Sequence, residues 1–166
     1  YPKDTKTIYS TWTCRGSRID GIDSTVMDGL QGFIKEILID YFRENFFQAD
    51  LEDILEQNRE AVEGGLGIMN PDLSHIEALW NLGYLPLRID ALLEGTSVPI
   101  RVPSFTVQNT LPEFFWLTNA LETLISTETW STITTATIAR QYRRILDSFA
   151  IETTGSIDGV EFQAHD

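Results

Sequence analysis

The stretch Leu87 to Asn109, LRIDALLEGTSVPIRVPSFTVQN, constrains the fold more than any other. Leu87, Ile89 and Ala91 alternate with Arg88 and Asp90, the period-two pattern of a strand, here Leu87 to Leu93, with one buried face. Gly95, Pro99 and Pro103 then exclude a helix, because proline lacks the amide proton that an interior helical turn needs. Phe105 to Val107 resumes as a short strand. Two strands framing a proline-bearing loop require further strands to pair with, so the chain cannot be purely helical.

The flanking segments supply those partners and the helices that cover them. Thr7 to Cys14 (TIYSTWTC) is β-branched and aromatic and reads as a strand. Beyond a polar loop, Asp23 or Ser24 is placed to cap a helix in which Val26, Leu30, Phe33, Ile34, Ile37, Leu38 and Tyr41 recur three and four apart. Ala49 to Val62 reads as an acidic helix that the glycines of Glu63-Gly64-Gly65-Leu66-Gly67 end. A further helix runs from an Asp72 or Ser74 cap to a stop at Gly83. Thr110, Pro112 and Glu113 have the spacing of a capping box opening an aromatic helix, Glu113 to Ile125. A long helix from about Trp130 carries Ile138, Tyr142, Ile145 and Phe149 on one face beside Arg140, Arg143 and Arg144, and Gly155 and Gly159 bracket a short last strand. The order predicts an α+β fold, a mixed β-sheet with helices packed on it, in a single domain over residues 1–166.

Composition narrows the partners. There are 25 acidic and 12 basic residues, a net charge of −13, and such a field repels polyanions over a Debye length of about 8 Å. Nucleic acid is therefore not an expected partner, whereas local arginines or backbone amides can still hold a small phosphate. Cys14 is the only cysteine, so no internal disulfide can form, and a reducing, cytoplasmic setting fits. No apolar run approaches the roughly 20 residues of a membrane span, and no signal peptide is read.

Candidate chemistry is sparse when read from residue types alone. Glu63-Gly64-Gly65-Leu66-Gly67 lacks the Lys-Ser/Thr pair of a P-loop and follows a helix, so it is read as a helix stop. His75 has no second histidine at ligand spacing and is read as a solvent-facing or capping residue. Cys14 is read as a small packed side chain. Arg15 and Arg18 directly follow the first strand, where ligands are often met, while the Arg140, Arg143 and Arg144 stripe is read as a solvated face pairing with acidic neighbours. His165 and Asp166 are adjacent on an extended segment and point to opposite faces, which does not suit them to shared proton transfer.

Longer motifs carry a resemblance. LPLRIDALLEGTSVPIRVPSFTVQNTLPEFFWLTNALETLIS, Leu85 to Ser126, resembles the nicotinamide phosphoribosyltransferase family, with its EG-(S/T)-x-x-P turn, FTV-(E/Q)-NT strand end and WLTN-x-(I/L)-ET helix in that order. ITTATIAR (Ile133 to Arg140), ETTGSIDGVEFQAHD (Glu152 to Asp166), YPKDTKTIYSTWTCR (Tyr1 to Arg15) and GLQGFI (Gly29 to Ile34) extend the likeness. The resemblance implies the N-terminal part of a type II phosphoribosyltransferase, with most of the α/β-barrel and the catalytic residues lying in segments beyond these. It implies transfer of the phosphoribosyl group of phosphoribosyl pyrophosphate to nicotinamide, giving nicotinamide mononucleotide and pyrophosphate in NAD salvage. Mg²⁺ accompanies the pyrophosphate, ATP is an optional coupled substrate, and the assembly is a homodimer. Carried over residue by residue, Arg15 matches a phosphate-binding arginine, and Phe162, Gln163, His165 and Asp166 match the wall of the pocket or its access tunnel. Phe162 stands where a tyrosine is frequent and Gln163 where a lysine is frequent. No metal ligand and no catalytic residue is expected among the 166, so that the transferase activity is that of the parent protein and this chain alone is expected to be inactive. The alternatives are a non-catalytic, truncated dimerisation module of the family, or a nicotinate phosphoribosyltransferase.

Overall fold

The computed structural model describes residues 1–163, so His165 and Asp166 lie outside the described residues. Among the described residues, five strands form two small sheets. β1 (Tyr9–Thr13), β5 (Pro103–Asn109) and β3 (Leu87–Ala91) make a three-stranded sheet in the order β1-β5-β3, and β2 (Ser24–Val26) pairs with β4 (Ser97–Pro99). The architecture is α+β as expected, with the strands divided between two sheets. The helices are α1 (Leu30–Phe33), α2 (Leu51–Leu66), α3 (Ser74–Leu82), α4 (Leu117–Ala120) and α5 (Glu122–Thr154).

The chain divides into two compact units, one made of Tyr1–Tyr9, Gln31–Arg88 and Val107–Ala120, the other of Ser10–Leu30, Ile89–Thr106 and the chain from Leu121 onward. In the first unit, the buried Asn109 side chain acts as a three-way staple. Its carboxamide oxygen accepts from Ile8 N–H at 2.9 Å, and its nitrogen donates to the carbonyls of Lys6 and Leu111, each at 2.8 Å. Asp50 caps α2 by accepting from the amides of Glu52 and Asp53, and the helix continues through Gly64 and Gly65 until Gly67 closes it in the left-handed conformation at φ +68. Trp80 of α3 donates to the Ala49 carbonyl at 3.1 Å, joining α3 to the start of α2, and Gly83 stops α3 as expected.

Four expectations need correction. Ser24–Val26 is a strand and does not open a helix, because each of its residues has a partner in β4: Ser24 with Pro99, Thr25 with Val98 and Val26 with Ser97. The helix that follows is largely π-helical, over Ile34–Tyr41 and Arg43–Phe47, and its wider turn aligns residues five apart. Phe33 and Leu38 are accordingly buried while Tyr41, in line by three-and-four spacing, is exposed. The predicted aromatic helix is a 3₁₀ turn (Pro112–Phe114) followed by short α4, which buries Phe114 and Leu117, and no side chain caps it. In the second unit the expected last strand is also replaced: α5 reaches Thr154, Gly155 ends it at φ +76, and turns follow.

Replacing Asn109 by Ala leaves three backbone groups without partners and is expected to cost about 2–3 kcal/mol. Denaturant unfolding measures this, and an unchanged midpoint would show the staple to be dispensable. Asp72 accepts from Ser74 N–H at 3.0 Å, and its bonds to Ser74 lower its carboxyl below the ordinary 3.8. A depressed carboxyl stabilises above its unfolded value and loses that contribution as pH falls through the folded value. The first turn of α3 is therefore expected to loosen in acid, read as faster amide exchange near Ser74, and Asp72→Asn should abolish that dependence.

Candidate functional site

The second unit contains a cavity of about 680 Å³ between the loop that follows β1 and one face of α5. The loop contributes Cys14, Gly16, Ser17, Arg18, Ile19 and Ile22, and α5 contributes Trp130, Thr134, Thr137, Ile138, Gln141, Tyr142 and Ile145. Thr25 of β2 and Ile100, just beyond β4, complete the wall.

Hydroxyls position α5 against this wall. Thr137 Oγ1 donates to the Ile133 carbonyl at 2.6 Å and accepts from Val26 N–H at 2.9 Å, so one threonine satisfies a strand amide from a helix. One turn earlier, Thr132 Oγ1 lies 3.0 Å from the Asp28 carbonyl. Gly29, at φ +80, follows directly, and a Cβ there would stand 2.5 to 2.8 Å from the Thr132 side chain. On the far side, the β2–β4 ladder continues through Ile100 N–H to the Asp23 carbonyl at 2.8 Å and Arg101 N–H to the Cys14 carbonyl at 2.9 Å. The loop bearing Arg15 and Arg18 is thereby held to the same backbone frame.

The face of α5 that packs inward is Ile125, Thr129, Ile133, Thr137 and Ala150. The apolar row anticipated from spacing is the exposed one, and part of it borders the open cavity: Ile138 is 38% exposed, Tyr142 61%, Ile145 53% and Phe149 62%. The inward face combines Ile125 and Ile133 with threonines whose hydroxyls bond back to the helix.

Arg15 is exposed and absent from the cavity wall, whereas Arg18 lines it; among the described residues neither arginine has an ion-pair partner. Phe162, 79% exposed, and Gln163, whose side-chain nitrogen donates to the Gly159 carbonyl at 3.3 Å, sit on the turns after α5 and do not border the cavity. Arg143, one of the basic stripe read as a solvated face, holds those turns. Arg143 pairs with Asp147 at 2.8 Å and also donates to the carbonyls of Val160 and Glu161, so it clamps the segment carrying Phe162 to the helix. Its i,i+4 acidic partner was the legible part of this arrangement; its contact 18 residues onward was not. His75 is exposed and meets Trp116 edge-on, with ring centroids 4.9 Å apart. Among the described residues no cluster of three His, Cys, Asp or Glu side chains could hold a metal ion, and no helix is long and apolar enough to cross a membrane.

Comparison with known proteins supplies what geometry alone leaves open. No family model matches the chain. A nicotinamide phosphoribosyltransferase of Acinetobacter baylyi is 46% identical over 171 residues, aligned to 100% of this chain and 34% of the relative. The chain is related along its whole length to proteins named nicotinamide phosphoribosyltransferase. One from Mycoplasma pneumoniae is 29% identical across 100% of the chain and 39% of its own length, and one from Xanthomonas campestris is 30% identical across 87% and 29%. The chain thus spans about a third of the length of the curated relatives it matches. A crystal structure of human nicotinic acid phosphoribosyltransferase superimposes with a TM-score of 0.57 at 17% identity, covering 87% of this chain and 25% of that one, which establishes likeness of fold.

The exposed apolar side chains of α5, Tyr142, Ile145 and Phe149, are of the kind that drives association. Light scattering across a concentration series is expected to show the chain self-associating, and Tyr142→Glu with Ile145→Glu to suppress it. A wild-type chain monodisperse as monomer throughout would contradict this.

Proposed function

We propose that these residues serve the phosphoribosylation of nicotinamide: the ring nitrogen bonds to the ribose C1 carbon of phosphoribosyl pyrophosphate, the C1–O bond to pyrophosphate breaks, and nicotinamide mononucleotide and pyrophosphate result. The observation that carries this reading is 46% identity, along the entire chain, to a protein of that name. The 17% identical human structure supports the fold and does not choose between amide and acid as substrate.

Within the reaction, Arg15 is proposed to bind phosphate through charge-assisted hydrogen bonds, and its exposed position without an ion-pair partner among the described residues suits it to an incoming anion. Phe162 and Gln163, with His165 and Asp166, are proposed to border the path of the base, with Arg143 positioning their segment. Mg²⁺ is proposed to arrive with the pyrophosphate group. ATP as a coupled substrate, and a cytoplasmic setting, accompany the same reading. A homodimer accords with the uncovered apolar row of α5.

The protein as its cell makes it, given phosphoribosyl pyrophosphate, Mg²⁺ and equimolar nicotinamide and nicotinate, is expected to form nicotinamide mononucleotide and pyrophosphate. Nicotinate mononucleotide as the main product would assign the acid branch, and folded protein forming neither would favour the non-catalytic module. Arg15→Ala should lower kcat/KM for phosphoribosyl pyrophosphate by about 10- to 100-fold, the effect of losing one charged hydrogen bond.

A further inference from the structure

We propose that Arg101 is a second anchor for a phosphate-type anion, acting from the turn after β4 beside Arg15; this rests on the phosphate role proposed for Arg15. The first observation is backbone conformation. Val102 N–H donates to the Pro99 carbonyl at 3.1 Å, closing a four-residue turn, and Arg101 occupies its third position at φ +70. That is the conformation a type II turn assigns to glycine. Only Asn70 shares a positive φ among the described non-glycine residues, and asparagine tolerates it, whereas a long side chain gains nothing from it locally. An unfavourable backbone at an arginine, where glycine would be relaxed, points to a use for the side chain.

The second observation is placement. Arg101 N–H donates to the Cys14 carbonyl at 2.9 Å, which sets the turn directly against the peptide preceding Arg15. Cys14 and Gly16 border the cavity while Arg15 between them does not, and Ile100 borders it while Arg101 does not. Neither arginine lines the cavity, and both are exposed. The third observation is charge. The chain has 25 carboxylate side chains against 12 basic ones, yet among the described residues neither Arg15 nor Arg101 is paired. The backbone bond from Arg101 to Cys14 brings the two residues to one place on the surface, and an anion that accepts from both guanidiniums would match their planar donor geometry.

Titration calorimetry of the 166-residue chain with inorganic pyrophosphate tests the proposal. Wild-type chain is expected to bind, Arg101→Gly to bind about tenfold more weakly while melting no lower than wild type, and Arg101→Lys to retain most of the affinity. Arg101→Asn, which also tolerates the left-handed conformation, substitutes if the glycine variant is unstable. Wild-type affinity in either uncharged variant overturns the proposal, as does a wild-type chain that does not bind pyrophosphate. The titration is independent of turnover: pyrophosphate binding by this chain, with no mononucleotide formed by the protein as its cell makes it, would remove the transferase reading and leave the anion site standing.

Discussion

The hydroxyl of Thr137 carries an obligation on which the second unit depends. Val26 lies on a strand of three residues, and its amide turns toward α5 and away from any strand partner. A buried amide without an acceptor is costly, and a valine or leucine at 137 could pack against the strand without accepting that proton. Threonine resolves the conflict by donating to its own helix, at Ile133, while accepting from the strand. The same chemistry recurs at Thr129, fully buried and bonded to the Ile125 carbonyl. With Thr129 and Thr137 facing inward beside Ile125 and Ile133, the helix bonds directly to the strand, while Trp130, Tyr142 and Ile145 border the cavity.

Much of the secondary structure was legible because its signals were local. Asp50 and Gly67 bound α2, Gly83 and Gly155 end helices in the left-handed conformation, and the alternation of Leu87 to Ala91 reports a strand. What escaped was set by distant pairing or by a rarer helical period. Ser24–Val26 follows a good helix cap in sequence, yet its pairing with β4, more than 70 residues away, decides its conformation. The five-residue interval between Phe33 and Leu38 matches neither of the common periods. Glu152 to Thr154 continue α5 because nothing before Gly155 interrupts it.

The candidate site shows the same division. Arg15 was legible from its place after a strand and from the family motif around it. Arg101 was hidden, because the residue type gives no warning that it occupies a glycine-type turn position; only the backbone angle discloses it. Arg143 was visible as a surface cation with an acidic neighbour, but its hold on the Val160 and Glu161 carbonyls depends on how the chain returns after Gly155. In each case the missing information is the path of the backbone between elements, which side-chain periodicity does not encode.

Gly29 and Thr132 are separated by 103 positions in the chain and by no space at all in the fold. A methyl group at the first would occupy the volume of the second, while a smaller residue at the second would surrender the hydroxyl beside the Asp28 carbonyl. A side chain at 29 is thus excluded twice over, by a backbone in the left-handed region and by the volume that Thr132 fills.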